Sequence, residues 1–157
     1  MKDKKTHYAI GAALLILFCA PFAEANEESA GENGGITISG AYVQEVPPGA
    51  NNSAAYMEIK NGGRGDRTLT TVSSPICRAA ELHRSSHQGG LMKMERVDSV
   101  EIKAGETVLL EPMVLHIMLI GLKEPLKKGS EAPITLTFRN DSTVAVTARV
   151  GKGTSGK

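Results

Sequence analysis

The chain has 157 residues, with 18 Lys and Arg against 17 Asp and Glu, three Tyr, three Phe and no Trp. A balance so close to neutral offers a polyanionic nucleic acid no attraction, and the aromatic rings are too sparse for a base-stacking platform or a sugar-binding face.

Residues 1–25 read as an export signal. Lys2, Lys4 and Lys5 form the basic start, residues 8–20 the apolar run, and Ala23-Glu24-Ala25 a small-x-small cleavage site. The apolar run is short and soon meets polar residues, so a retained membrane anchor is the lesser alternative. A lipoprotein reading at Cys19 is disfavoured by the bulky Phe18 directly before it. The expected mature chain begins at Asn26 and has 132 residues, enough for one domain with a real core. It carries 15 Lys and Arg against 15 Asp and Glu, and only Tyr42, Tyr56 and Phe138 as aromatics. The expected location is the periplasm, with no membrane insertion after cleavage. A single cysteine, Cys77, remains, so no internal disulfide is expected; a small buried packing residue is the favoured reading of it.

Residues 26–35 form a polar lead-in containing three glycines. Beyond them the chain turns to short runs of Val, Ile, Thr, Leu and Tyr between turn residues. The pattern predicts nine strands, over residues 36–46, 53–60, 67–72, 79–84, 92–97, 107–110, 114–120, 134–139 and 143–150. There is no convincing helical period. The expectation is one all-β domain over residues 36–150, a β-sandwich, followed by a flexible tail at 151–157.

The segment from His83 to Met118 gathers three of the four histidines and four of the six methionines. Imidazole with thioether, without carboxylates or paired thiolates, suits a soft monovalent metal, above all Cu(I). Alternation adds geometry. In LHIML, Leu115, Ile117 and Leu119 would face the core, and His116 and Met118 would share the other face about 6.5–7 Å apart. In the same way Met92 and Met94 share a face, and His83 points away from the face of Leu82. Met92 and Met113 are read as core or rim filler, with contact to the ligands as the lesser alternative, Met57 as core or site lining, and His87 as a solvated residue in the loop SSHQGG, with a mobile fifth ligand as its lesser alternative.

The spacing His83-x10-Met94-x21-His116-x-Met118 resembles the signature of the periplasmic copper chaperones of the PCu(A)C family. The flanking ELH, MKM, HIMLIGL, AYMEIKN and ITLTFRN extend the likeness over roughly residues 36–150. The resemblance implies a cupredoxin-like Greek-key β-sandwich or barrel, with Cu(I) held by His83, Met94, His116 and Met118. It also implies delivery of copper toward respiratory cytochrome oxidase assembly, with oxidase subunits and Sco-type thioredoxin-like proteins as partners and the chaperone itself a monomer. Some relatives carry extra metal ligands in the tail; residues 151–157 contain no histidine or methionine.

Two other classes compete. A blue-copper electron carrier would need Cys77 as thiolate beside two imidazoles and an axial thioether, yet no histidine of the mature chain precedes Cys77. A metal-free adhesion or scaffold sandwich would bind no copper at all. No nucleophile motif, phosphate loop or paired-carboxylate arrangement stands out, so the chain is not read as an enzyme.

Overall fold

The computed structural model describes residues 35–152. The expected export signal, nearly all of the lead-in and the end of the tail lie outside the described residues. Ten strands follow one another: β1 (Ile36–Gln44), β2 (Asn52–Asn61), β3 (Arg67–Ser73), β4 (Cys77–Gln88), β5 (Leu91–Arg96), β6 (Val100–Ile102), β7 (Thr107–Leu110), β8 (Leu115–Leu122), β9 (Glu131–Phe138) and β10 (Thr143–Gly151). Among the described residues there is no helix.

Period-two patterning is plainest in the last two strands. Along β10 every second residue, Val144, Val146, Ala148 and Val150, is buried between exposed neighbours. β9 likewise buries every second residue, Ala132, Ile134, Leu136 and Phe138, between exposed or half-buried neighbours. Seven strands close into a barrel in the order β4, β8, β2, β1, β10, β9, β3 and back to β4. Every neighbouring pair is antiparallel except β1 with β10, which is parallel. Closure removes the exposed edges of an open sheet. The inward side chains fill the interior; Val43, Ile59, Leu69, Ile117, Leu119 and Leu136 are wholly buried there. The remaining three strands hang on the barrel: β5 on β4, β6 on β3 and β7 on β2.

Two details differ from the sequence reading. β6 was not expected; at three residues it is too short to show a period. The loop expected around His87 is instead strand, because β4 continues to Gln88 and pairs at once with Leu91. Gly89 and Gly90 alone make the turn, with φ of 59° and 82°. Two successive positive φ angles match the twist of a tight hairpin, and glycine adopts them without a Cβ clash.

Ile117 lies wholly in the core between two outward residues. Ile117→Ala should therefore lower the unfolding free energy by about 2–5 kcal/mol. Met118→Leu, an outward change that conserves volume, should cost less than about 1.5 kcal/mol. Equilibrium urea denaturation of the two variants checks this; equal losses would contradict the assignment of faces.

Candidate metal centre

β4 and β8 run antiparallel, with His83 directly opposite His116 and Glu81 directly opposite Met118. Directly opposed residues of a ladder share a face, as do residues two apart on one strand. All four therefore stand on the outer face, while Leu82, Ile117 and Leu119 beside them enter the core. Met94 comes from β5. It lies opposite Ser85, one diagonal step from His83, whose own direct partner on β5 is Arg96. Diagonal neighbours sit about 7–8 Å apart, within reach of a thioether and an imidazole. The outer face of three adjacent strands thus carries all four residues singled out by spacing.

The four are not equally exposed. His116 is only 4% accessible although it points out of the barrel, whereas Met94 is 49% accessible. The His83 side chain is 17% accessible, and Met118 is half-buried. A row of rings explains the burial of His116. Tyr42 and Tyr56 have ring centroids 5.0 Å apart, Tyr56 and His116 6.3 Å, and His116 and His83 6.2 Å. The row crosses β1, β2, β8 and β4 in turn, so Tyr56 walls His116 on one side and His83 on the other. Tyr56 is itself anchored by its hydroxyl, which donates to Gln44 Oε1 at 3.0 Å.

Hydrogen bonding sets the character of the imidazoles. His83 Nε2 lies 3.0 Å from Glu81 Oε2. An ionised carboxylate only accepts, so Nε2 carries the hydrogen and, in the neutral ring, Nδ1 holds the free lone pair. That Nδ1 is buried without a partner, and so is Nδ1 of His116. Buried polar nitrogens are nearly always satisfied, so two orphans on facing rings fit a pair of donors aimed at one ion. A carboxylate that fixes the far nitrogen of a histidine is the usual support for a metal-binding imidazole. Glu81 Oε1 in turn lies 3.6 Å from Arg96 Nη1. The hydrogen bond from His83 holds the Glu81 carboxyl below its usual range, with Arg96 adding to the effect and desolvation opposing it. Burial pushes the His116 imidazole below its ordinary value, nearby His83 pushes it further, and the Val114 backbone pulls the other way.

Among the other residues, Met57 and Cys77 are buried as expected, and Met92 and Met113 depart from expectation. Met57 is core, at 2% accessible. Met92 and Met113, expected as core or rim filler, are 50% and 57% accessible. Met113 sits in the turn before β8 with φ 67°, a conformation that costs a non-glycine residue roughly 1–3 kcal/mol. Cys77 is buried at the start of β4, and burial raises its thiol pKa. It shares that strand with His83 six residues on, which at about 3.3 Å per residue puts it roughly 20 Å away. Cys77 and His83 cannot bind one ion, so the blue-copper reading built on them fails on distance. The sequence reading missed Glu81 and Tyr56. Glu81 was within reach of it, being two residues before His83 and so on the same face; Tyr56 becomes a neighbour of His116 only through the pairing of β2 with β8.

Comparison with known proteins places these features in a lineage. The family model described as LpqE-like, "Putative lipoprotein LpqE-like", matches residues 36–150. The protein Lxx21020 of Leifsonia xyli subsp. xyli, named "Putative lipoprotein", is 33% identical over 134 residues, covering 84% of this chain and 80% of the relative. The solution structure of CuI-DR1885 from Deinococcus radiodurans superposes with a TM-score of 0.64 at 33% identity, over 85% of this chain and 89% of that one. The copper-bound PCuAC domain from PmoF2 gives a TM-score of 0.62 over 75% of this chain and 93% of that one; its 22% identity makes this a likeness of fold alone. The all-β, cupredoxin-like barrel expected from the sequence is thus the fold observed. With a family model spanning the whole barrel and a relative aligned over most of both chains, the protein belongs to the LpqE-like family.

Proposed function

We propose that the protein is a copper carrier that holds one Cu(I) between His83, Met94, His116 and Met118 and passes it on by ligand exchange. The observation that carries this reading is the pair of orphaned Nδ1 atoms on His83 and His116, set on one outer face with two thioethers. Two imidazoles and two thioethers make a soft, neutral donor set, which favours Cu(I) over harder ions. The name of the Deinococcus relative, which describes a Cu(I) form, supports the same ion. Thioethers also suit an oxidising compartment, because they need no deprotonation and form no disulfides.

Copper is cargo on this reading, and no catalysis is assigned. The acceptors proposed are copper-receiving proteins of the periplasm, with cytochrome oxidase subunits and Sco-type thioredoxin-like proteins as the specific candidates. The lipoprotein names of the family model and of the Leifsonia relative add weight to a membrane-tethered form, reached through Cys19, against the cleaved soluble form favoured by Phe18. Mass spectrometry of the mature N-terminus separates them: a chain beginning at Asn26 supports release, and a lipid-modified cysteine supports the tether.

Anaerobic titration against a chromophoric Cu(I) chelator should find one tight Cu(I) per chain, with sulfur and nitrogen neighbours by X-ray absorption. Purely oxygen and nitrogen neighbours would refute the assignment. His83→Ala, His116→Ala, Met94→Leu and Met118→Leu should each weaken binding at least about tenfold, the scale on which even outer-shell partners act. Cys77→Ser should leave stoichiometry and ligation unchanged.

The depressed pKa of His116 also makes apo-protein stability depend on pH. Below the unfolded value near 6.5 the unfolded chain takes up a proton that the folded chain declines. Stability should therefore be full above about pH 6.5 and decline as pH falls from there toward the lower folded value. Urea denaturation of metal-free protein across this range should show the decline, and His116→Gln should reduce it.

A further inference from the structure

The tip of the β4–β5 hairpin carries a second pair of donor side chains that the four-residue site leaves unused. His87 and Met92 are direct cross-strand partners. Opposed partners place their Cβ atoms about 4.5–5.5 Å apart, close enough for an imidazole and a thioether to meet at one ion. His87 is exposed and Met92 is 50% accessible, so packing explains neither. Both lie on the face that carries the candidate centre, because His87 follows His83 by four residues on β4 and Met92 precedes Met94 by two on β5.

Successive rungs of the hairpin on this face run from His83 opposite Arg96, to Ser85 opposite Met94, to His87 opposite Met92. Rungs two residues apart are about 6.5–7 Å from one another. Met94 is thus flanked by His83 on one side and by the His87–Met92 pair on the other. His87 and Met92 are both more open than His83, whose side chain is 17% accessible against 50% for Met92. The tight Gly89–Gly90 turn keeps both strands in register to the end, so the outer pair is held by the ladder.

We propose that His87 and Met92 form a second, weaker Cu(I) station, through which copper passes between external ligands and the four-residue centre, with the Met94 thioether as the donor common to both. The proposal rests on the Cu(I) reading of the inner centre. No electron moves: Cu(I) stays Cu(I), one soft donor replaces another at each exchange, and a proton on any imidazole that takes up the ion, at either station, goes to water. Two donors of its own, open to solvent, and a third shared with the inner centre give a weak site, and weakness suits a point of passage.

The test uses the full-length chain, anaerobic Cu(I) as the probe and a chromophoric Cu(I) chelator as the competitor. The double variant His87→Ala/Met92→Leu should keep the affinity for the first Cu(I) within about threefold, well inside the tenfold that 1.4 kcal/mol represents. Its rates of copper loss to the chelator and of copper uptake should both fall by about tenfold, as detailed balance requires when affinity is held. A His83→Ala/His116→Ala protein should still bind one Cu(I) weakly, and should lose it when His87→Ala and Met92→Leu are added. Tight Cu(I) binding with unchanged exchange rates in the outer variant would overturn the station alone. Absence of weak binding in the inner variant would also overturn it. No tight Cu(I) in the wild type would overturn the inner centre and the station together.

Discussion

The register between β4 and β8 is the constraint on which the candidate centre depends. Because side chains alternate strictly, a slip of one residue on β8 would carry His116 and Met118 into the core and put Leu115, Ile117 and Leu119 outside. Three wholly or nearly buried residues, Leu82, Ile117 and Leu119, oppose that slip. The hydrophobic residues that close the barrel are therefore the same ones that aim the donors. A centre built this way needs no disulfide and no preformed loop; it follows from packing on the opposite face of the same strands.

Much of this is local and can be read in the chain itself. LHIML declares its two faces without any partner, and the even alternation of β9 and β10 marks them as half-buried strands. What cannot be read locally is adjacency. Nothing in the text near His116 says that Tyr56, sixty residues earlier, will stand against it, because that contact depends on the β2–β8 pairing. The burial of His116 follows from that contact, so an outward histidine turns out to be nearly inaccessible. The SSHQGG segment misleads for another reason: its polar composition belongs to a solvated hairpin end, and two glycines suffice for the whole turn. Likewise Met92 looks like core filler by residue type, yet β5 buries none of its six residues. A strand that pairs on one edge and packs on neither face shows no alternation to detect.

Glu81 ties the electrostatics to this geometry. Four neutral donors would leave the charge of a bound Cu(I) unbalanced, and the nearest carboxylate stands on the same face, bonded to His83 rather than aimed as a donor. It can offset charge through the imidazole while leaving Nδ1 free. The hydrogen bond from His83 does most to hold the Glu81 carboxyl below its usual range, and Arg96, at 3.6 Å from the other carboxylate oxygen, adds to it from β5. The carboxylate thus has one oxygen on the histidine and one on the hairpin that carries Met94.

On the proposed reading, the uneven exposure of the four side chains gives ligand exchange an order. His116 is enclosed by the ring row and by the β4–β8 ladder, and nothing outside the protein can displace it without moving Tyr56 or His83. Met94 stands half open on a strand that pairs only with β4, so an incoming donor meets it first. A thioether binds as a neutral soft donor, and its replacement by another requires no proton and no change of charge. On the proposed reading, copper is therefore exchanged from the Met94 side and retained from the His116 side. A closed barrel can hold its cargo rigidly at one end of the donor set and yield it at the other, without any opening of the fold.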